Sequence, residues 1–215
     1  MTHNLHLPAP TAIRRERERL ARRQEILRAA QQVFAQRGYR NATLDEIAGR
    51  AEFAKGTIYN YFRSKEEIFR QIIMNLLDDL LRIAETAVRE EHSARESCAR
   101  YASDAIAYYR SHEDVLRIVV RDVFRLEVED TERRMAEIHR RFDGIAATLA
   151  RSFRRELRGR HGGTRLPDDL AQIFVAIVHH RSVKCIFQGT SIQGLDPHEE
   201  ASFITTLFFD GAPQH

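Results

Sequence analysis

Apolar residues recur along this chain at spacings of three and four, which is the period of an α-helix. In the first such segment they share one face: Ile26, Leu27, Ala30, Val33 and Phe34. The segment starts near Ala12 and stops at Gly38, which suits a residue just past a helix end. No stretch alternates with period two for long enough to indicate a strand. The pattern therefore predicts an all-α protein.

A second, short helix is predicted over 44–51. Thr43 offers an N-cap, and Glu46 three residues later completes the capping-box pattern. A brief turn at 52–54 separates this helix from a third, in which Ile58 and Phe62 point inward at i and i+4. Two short helices joined by so tight a turn are typical of a helix-turn-helix.

A fourth, long helix is predicted from Lys65 to about Glu91, with Ser64 as its N-cap and Glu67 at the third position. Its apolar residues come in adjacent pairs every four residues, which makes a broad apolar face. Five further helical segments follow, and they bring the expected total to about nine: 94–111, 113–127, 130–158, 167–190 and 196–209.

The formal charge divides unevenly along the 215 residues. Residues 1–70 hold 14 Lys and Arg against 8 Asp and Glu, whereas residues 71–215 hold 20 against 23. A basic N-terminal third on a mildly acidic body indicates a polyanion-binding module attached to something else.

Several classes of function are disfavoured. The two cysteines, Cys98 and Cys185, form no metal-ligand spacing and suit a reducing compartment. We see no nucleophile elbow, Gly-rich phosphate loop or paired carboxylates, so we expect no catalytic residues, metal or cofactor. Residues 1–10 lack the layout of a signal peptide, and no continuous 18-residue apolar run exists. We therefore expect a soluble, cytoplasmic protein without a membrane partner.

The third predicted helix has the residue types that a major-groove helix needs. Its outward positions are small or hydrogen-bonding: Lys55, Gly56, Thr57, Tyr59, Asn60 and Tyr61. Gly56 lets the backbone approach base edges, and Thr57 can bond a base or touch a thymine methyl. Tyr59, Tyr61 and Lys65 can contact phosphates. A core role for Tyr61 remains about equally open.

The run from Thr43 to Ala48, with Lys55-Gly56-Thr57-Ile58-Tyr59-Asn60-Tyr61-Phe62-Arg63-Ser64-Lys65-Glu66-Glu67, resembles the DNA-binding domain of the tetracycline-repressor (TetR) family. The match covers about residues 20–70. The resemblance implies a homodimeric transcriptional repressor that holds double-stranded operator DNA and releases it when a small-molecule effector binds the C-terminal domain. Its predicted DNA contacts are Thr43, Lys55, Gly56, Thr57, Tyr59, Asn60, Tyr61 and Lys65. The predicted division is a basic arm (1–19), a helix-turn-helix domain (20–65) and a ligand-binding and dimerisation domain (66–215).

Two positions depart from the family pattern. Glu52 stands where the turn usually has Gly, so this residue is expected to adopt a left-handed backbone conformation at a cost of about 1–2 kcal/mol. Ala54 stands where a Ser often caps the recognition helix, so the side-chain cap is expected to be absent.

The arginines of the N-terminal arm allow two interpretations. They either contact DNA, which their place beside the motif favours, or they form a solvated helix start with Glu16, Glu18 and Glu25 as partners.

The candidate ligand-pocket residues are Tyr108, Arg121, Phe124, His179 and His180. Arg117, Arg121 and Arg125 could form an anion-binding row, but a solvated stripe is the favoured interpretation. One of the two histidines could line a pocket, although a hydrogen-bonded core histidine is the more common case. An enzyme or metal-binding protein with a basic appendage remains the alternative class.

The last two helices carry much apolar surface, and subunit association or ordinary core packing could account for it. The resemblance, which implies a four-helix bundle from these helices of both subunits, favours dimerisation. The predicted interface residues are Phe174, Ile177, Phe203, Leu207 and Phe208.

Overall fold

The computed structural model describes residues 10–89, 92–122, 128–158 and 165–211. Within those ranges the chain is helical and contains no strand, which confirms the all-α prediction. The described helices are α1 Pro10–Arg37, α2 Leu44–Arg50, α3 Lys55–Tyr59, α4 Lys65–Ala87, α5 Ala94–Ser111, α6 Glu113–Asp122, α7 Val128–Glu156, α8 Leu166–Phe187 and α9 Pro197–Asp210, with a short 3₁₀ turn at Ile192–Gly194 before α9.

The helix ends differ modestly from the sequence-based boundaries. α1 begins at Pro10, so the described part of the basic arm is helical. α4 ends at Ala87 instead of near Glu91. The recognition helix α3 has only five residues, because the amide of Tyr61 already bonds the carbonyl of Ile58, three residues back. Tyr61 and Phe62 therefore lie just past α3 instead of within it.

The chain divides into two compact units, Met1–Ile72 and Ile73–His215, and the division falls inside α4. The first unit is built on a cluster of aromatic rings. Tyr39 lies 4.9 Å from Phe69 and 5.6 Å from Phe34 between ring centroids. Fully buried aliphatic side chains from the other short helices, Ile47 of α2 and Ile58 of α3, complete this core.

In the second unit α7 packs against α8, and α5 packs against α9. α5 is the central element, because its buried residues include Tyr101, Ile106 and Tyr109. At the α9 side Phe208 packs edge-on against Phe174 at 5.2 Å and against Phe153 at 6.2 Å. The space between α4, α6, α7 and α8 is lined mainly by apolar side chains.

α8 is long and apolar enough, by length and composition, to cross a membrane. That is weak evidence, because the core helix of a folded domain passes the same test. This helix carries His179, which hydrogen-bonds two buried tyrosines, and Arg181, which pairs with Glu200 of α9. These polar contacts are those of a helix packed inside a helical domain.

Candidate nucleic-acid interface and effector cavity

The start of α2 is fixed by the predicted capping box. Thr43 Oγ1 accepts a hydrogen bond from the amide of Glu46 at 3.2 Å, and the Glu46 carboxylate accepts one from the amide of Thr43 at 2.9 Å. The same carboxylate lies 3.4 Å from Arg37 at the end of α1. Two of the unsatisfied amides at this helix end are thereby paired, and the direction of α2 is set locally.

The turn between α2 and α3 confirms both departures noted in the sequence. Glu52 has φ 57°, the one positive value at a non-glycine among the described residues. This conformation lets the amide of Phe53 bond the carbonyl of Ala48 at 2.9 Å and closes α2. Ala54 is extended and provides no side-chain cap for α3.

The exposed side of α3 carries the side chains predicted to meet DNA. Tyr59 is 50% exposed, while Ile58 beside it is fully buried. The packing of Ile58 in the core therefore determines which face of α3 is exposed. Gly56 has open space where a Cβ would stand. Asn60 is exposed, and Thr57 and Tyr61 are half-buried. Lys55, Gly56, Tyr59 and Asn60 are therefore exposed, and Thr57 and Tyr61 are partly exposed.

The two lysines of this unit have different surroundings. Lys55 Nζ lies 2.8 Å from Asp45 of α2, and this hydrogen bond raises the pKa of Lys55. Lys65 Nζ instead donates to the carbonyls of Tyr39, Arg40 and Ala42 at 3.0–3.2 Å. Because an ammonium has three N–H donors, a direct phosphate bond by Lys65 would have to replace one of those carbonyls.

The arginines of the N-terminal segment separate into different roles. Arg14 and Arg19 form exposed ion pairs with Glu18 and Glu16. Arg23 packs over the ring of Phe62 at 4.3 Å and donates to the carbonyl of Tyr61 and the amide oxygen of Gln71. Arg23 thus braces the segment that follows α3.

The second unit contains a cavity of about 530 Å³. Its apolar lining comes from α4 through α8: Ile73, Leu76, Leu77, Leu116, Val119, Val120, Met135, Ile138, Phe142, Ala146, Val175, Ala176, Val183 and Phe187. The polar groups in its described lining are Tyr109, His139, Asp143, Gln172 and His179. A volume of this size and an apolar wall with few polar groups are typical of a small-molecule site, for which about 300–1,000 Å³ is usual.

His179 joins two tyrosines at the wall of this cavity. Its Nε2 lies 2.8 Å from the hydroxyl of Tyr101, and its Nδ1 lies 2.5 Å from the hydroxyl of Tyr109. The ring packs edge-on against Phe142 at 4.6 Å. Burial lowers the pKa of His179 to about 3, and burial raises the pKa of both tyrosines. All three side chains are therefore uncharged at neutral pH.

The cavity takes in one of the five predicted ligand-pocket residues, His179. Tyr108 is displaced from it, because its hydroxyl donates to Asp79 at 2.7 Å and its ring stacks on His112. Arg121 is held by Asp122, and His180 lies on the exposed side of α8. None of these three residues is in the lining of this cavity. Phe124 lies outside the described residues. Sequence reasoning missed Tyr109, and the signal available was only its position one residue beyond Tyr108.

The predicted interface residues also separate. Phe174 is fully buried within its own chain, where its ring packs against Phe208. Ile177 and Phe208 are half-buried. Phe203 and Leu207 are exposed at 55% and 41%. Phe187, which also borders the cavity, is 65% exposed and was not among the predicted interface residues.

Four of the exposed residues of α8 follow a simple spacing. Leu166, Ile173, His180 and Phe187 are seven residues apart, and all are exposed. Residues at this spacing lie on one side of a helix. The stripe is apolar apart from His180, and α9 adds Phe203 and Leu207 at i and i+4.

Among the described residues no group of three or more His, Cys, Asp or Glu side chains is placed to hold a metal ion.

Comparison with known proteins gives three results. Residues 26–72 match the model of the family described as bacterial regulatory proteins, tetR family. The uncharacterized HTH-type transcriptional regulator YhgD of Bacillus subtilis is 33% identical over 45% of this chain and 51% of that protein. The HTH-type transcriptional repressor KstR2 of Rhodococcus jostii is 42% identical over 27% of this chain and 29% of that protein. The chain thus spans about half the length, or less, of these curated relatives.

Among solved structures, the transcriptional regulator FadR from Bacillus subtilis in complex with stearoyl-CoA is similar with a TM-score of 0.73 at 19% identity, covering 88% of this chain and 99% of that chain. At that identity the likeness is one of fold.

Proposed function

We propose that this chain, whose residues 26–72 match the model of the tetR family of bacterial regulatory proteins, is a homodimeric transcriptional repressor released from its operator by a small molecule. The observation that carries the proposal is the orientation of α3. Ile58 is fully buried, whereas Tyr59 and the open backbone at Gly56 face away from the core. The exposed side of α3, which carries hydrogen-bonding residues while Ile58 anchors the helix in the core, suits the major groove.

The proposed DNA contacts are of two kinds. Thr57 and the backbone at Gly56 would read base edges, and Lys55, Tyr59, Asn60 and Tyr61 would position the helix on phosphates. Thr43 caps α2 in the free protein, and its exposed side offers a further phosphate contact. Lys65 supports the site indirectly, because it donates hydrogen bonds to three carbonyls of the segment that joins α1 to α2.

The proposed domain division keeps the sequence-based boundaries: the arm over 1–19, the helix-turn-helix over 20–65 and the effector and dimerisation domain over 66–215. The stripe of four exposed α8 residues at a spacing of seven and the exposed apolar pair on α9 support dimerisation. Exposed apolar side chains at a period near 3.5 are the pattern by which helices of two chains pack together.

The cavity supports the release step. It is bounded by Ile73, Leu76 and Leu77 of α4, the helix that begins six residues after α3 ends. A ligand that prefers the arrangement of α4 found off DNA shifts the equilibrium away from the DNA-bound form. A protein of similar fold, FadR from Bacillus subtilis, forms a complex with stearoyl-CoA, a ligand with a long apolar chain.

Gel-shift assays with DNA from upstream of the gene test the proposal. The full-length dimer should bind a specific fragment without any added cofactor, and a Thr57→Ala, Tyr59→Ala double variant should lose that preference. Arg82→Ala is the matched control, because this exposed arginine lies on the far part of α4 and pairs with Asp79 of the same helix. Full retention of specific binding by the double variant would contradict the proposal.

A reporter fused to the same promoter tests the sign of regulation. Deletion of the gene for this protein should raise the reporter signal. A fall in that signal would instead identify an activator and would contradict the repressor part of the proposal.

A further inference from the structure

The cavity of the second unit has one feature that its volume and apolar wall do not explain. Three buried polar side chains, Tyr101, His179 and Tyr109, form a hydrogen-bonded row that ends at the cavity. Tyr109 and His179 line the cavity, whereas Tyr101 is fully buried behind them. The number of protons in this row decides what the cavity offers to a ligand.

His179 is neutral, so one of its ring nitrogens carries a hydrogen and the other accepts one. If Nε2 carried the hydrogen, it would donate to Tyr101, and the Tyr101 hydroxyl hydrogen would have no acceptor among the described residues. A buried donor without a partner loses its hydration and gains nothing in return. If Nδ1 carries the hydrogen, Tyr101 donates to Nε2, and Nδ1 donates to the oxygen of Tyr109.

The second arrangement satisfies Tyr101 completely and leaves one donor over, the hydroxyl hydrogen of Tyr109. This donor belongs to the one tyrosine of the pair that lines the cavity. In this arrangement the hydroxyl without an acceptor is therefore that of Tyr109, which lines the cavity, and not that of Tyr101, which does not.

The charges around the cavity restrict that acceptor. In the part of the lining that the structure describes, no Lys or Arg is present, and the carboxylate of Asp143 lies in the wall. Burial also keeps His179 uncharged, since its pKa is lowered to about 3. An anionic head would therefore lose its hydration without gaining a Lys or Arg partner from the described lining, which is unfavourable.

We propose that the cavity binds a long apolar molecule with an uncharged polar head, such as an ester, thioester, ketone or alcohol, and that Tyr109 donates a hydrogen bond to the oxygen of that head. Tyr101 and His179 are positioning residues that act through Tyr109. This inference rests on the proposed effector role of the cavity.

Displacement of the neutral dye Nile red from the full-length dimer tests the head-group preference. The probes share one chain length: methyl dodecanoate, dodecane and dodecanoate at pH 7.5. The ester should displace the dye at a lower concentration than dodecanoate. Tyr109→Phe should weaken ester binding roughly 2- to 10-fold, the range expected for one neutral hydrogen bond, and leave dodecane binding unchanged.

Tyr108→Phe is the matched control, since it removes the neighbouring hydroxyl, which lies outside the cavity. This variant should bind all three probes as the wild type does. Unchanged ester binding in Tyr109→Phe, tighter binding of dodecanoate than of the ester, or failure of the wild type to bind any probe would overturn the proposal.

Two measurements on the wild type are independent of whether the variant folds. Long-range proton–nitrogen correlation of the His179 ring should show the hydrogen on Nδ1, and a hydrogen on Nε2 would overturn the assigned direction of the row. The carbonyl stretch of the bound ¹³C-labelled ester should lie at lower frequency than that of the same ester in dodecane, where it accepts no hydrogen bond, and a bound band at the dodecane frequency would exclude the Tyr109 hydrogen bond. Gel shifts without any probe test operator binding separately from these probe measurements. If the protein failed to bind operator DNA, the proposed function would be wrong, but the head-group preference of the cavity could still be measured.

Discussion

Lys55 and Lys65 carry the same charge in the same unit, but their surroundings give them different roles. Lys65 holds three backbone carbonyls and lies 5.0 Å from the ring centroid of Tyr39. Lys65→Met should lower the free energy of unfolding by about 1–3 kcal/mol, because the carbonyls lose a charged donor. Lys55→Met, which removes an exposed ion pair, should have a much smaller effect. Urea denaturation measures both, and equal effects would contradict the structural role of Lys65.

His179 should make stability depend on pH. Its pKa falls from an ordinary value near 6.5 to about 3 because it is buried. Below pH 6.5 the unfolded chain therefore binds a proton that the folded chain does not, so stability falls as the pH is lowered from 6.5 towards 3. The contribution approaches about 1.4 kcal/mol per pH unit.

The comparison of His179→Gln with the wild type isolates this contribution. Between pH 6.5 and 5 the free energy of unfolding of the wild type should fall more steeply with pH than that of His179→Gln. The difference in slope should approach the value for one bound proton, about 1.4 kcal/mol per pH unit. His180→Gln is the matched control, because His180 is exposed. Identical slopes for the wild type and His179→Gln in urea titrations would argue against a neutral, buried imidazole.

At the scale of single elements, α3 separates stability from function at Gly56. A Cβ added there meets nothing within 4 Å, and Ala is favoured over Gly in a helix by about 1 kcal/mol. Gly56→Ala should therefore leave the free protein as stable or more stable, and should weaken operator binding because the methyl group keeps the backbone from the bases.

Gly144→Ala in α7 provides the comparison, since that position is equally open and lies in the other unit. It should share the gain in stability without the loss of DNA binding. Thermal unfolding measures the stability of both variants, and gel shifts measure their DNA binding. Undiminished DNA binding by Gly56→Ala would place α3 farther from the bases than we propose.

The elements that sequence predicted well are those fixed by neighbours along the chain. The capping box of α2 depends on residues three apart, and the left-handed Glu52 depends on the length of the turn. The role of Lys65, the burial of Phe174 and the row of Tyr101, His179 and Tyr109 depend on residues far apart in sequence. Periodicity shows that Phe174 and Ile173 are apolar, but only packing shows that the first is in the core and the second at the surface.

At the scale of the whole molecule, the exposed stripe on α8 and α9 predicts association. An Ile173→Glu, Phe203→Glu double variant should sediment as a monomer, because two charges would be buried without partners. It should also lose tight operator binding, since the two recognition helices of a dimer bind two half-sites of the operator together. Leu20→Glu, at a 52% exposed leucine of α1, should remain a dimer. A normal dimer in the double variant would place the interface elsewhere.

Effector and operator should also oppose each other reciprocally. A preference of about 1–3 kcal/mol for the DNA-free form weakens DNA binding roughly 5- to 150-fold, and the operator must weaken effector binding by the same factor. Titration of methyl dodecanoate into free and operator-bound dimer measures this factor. Equal affinity in the two titrations would show that the cavity has a purpose other than release.

The exposed rings of Phe187 and Phe203 have a consequence for how the amount of protein in a cell sets the strength of regulation. If a second copy covers them, each operator responds to pairs of chains, and below the dissociation constant of the pair the number of pairs falls with the square of the abundance. Halving the protein would then leave about a quarter of the pairs. The fraction of operator bound by such a repressor would therefore fall steeply as a growing cell dilutes the protein.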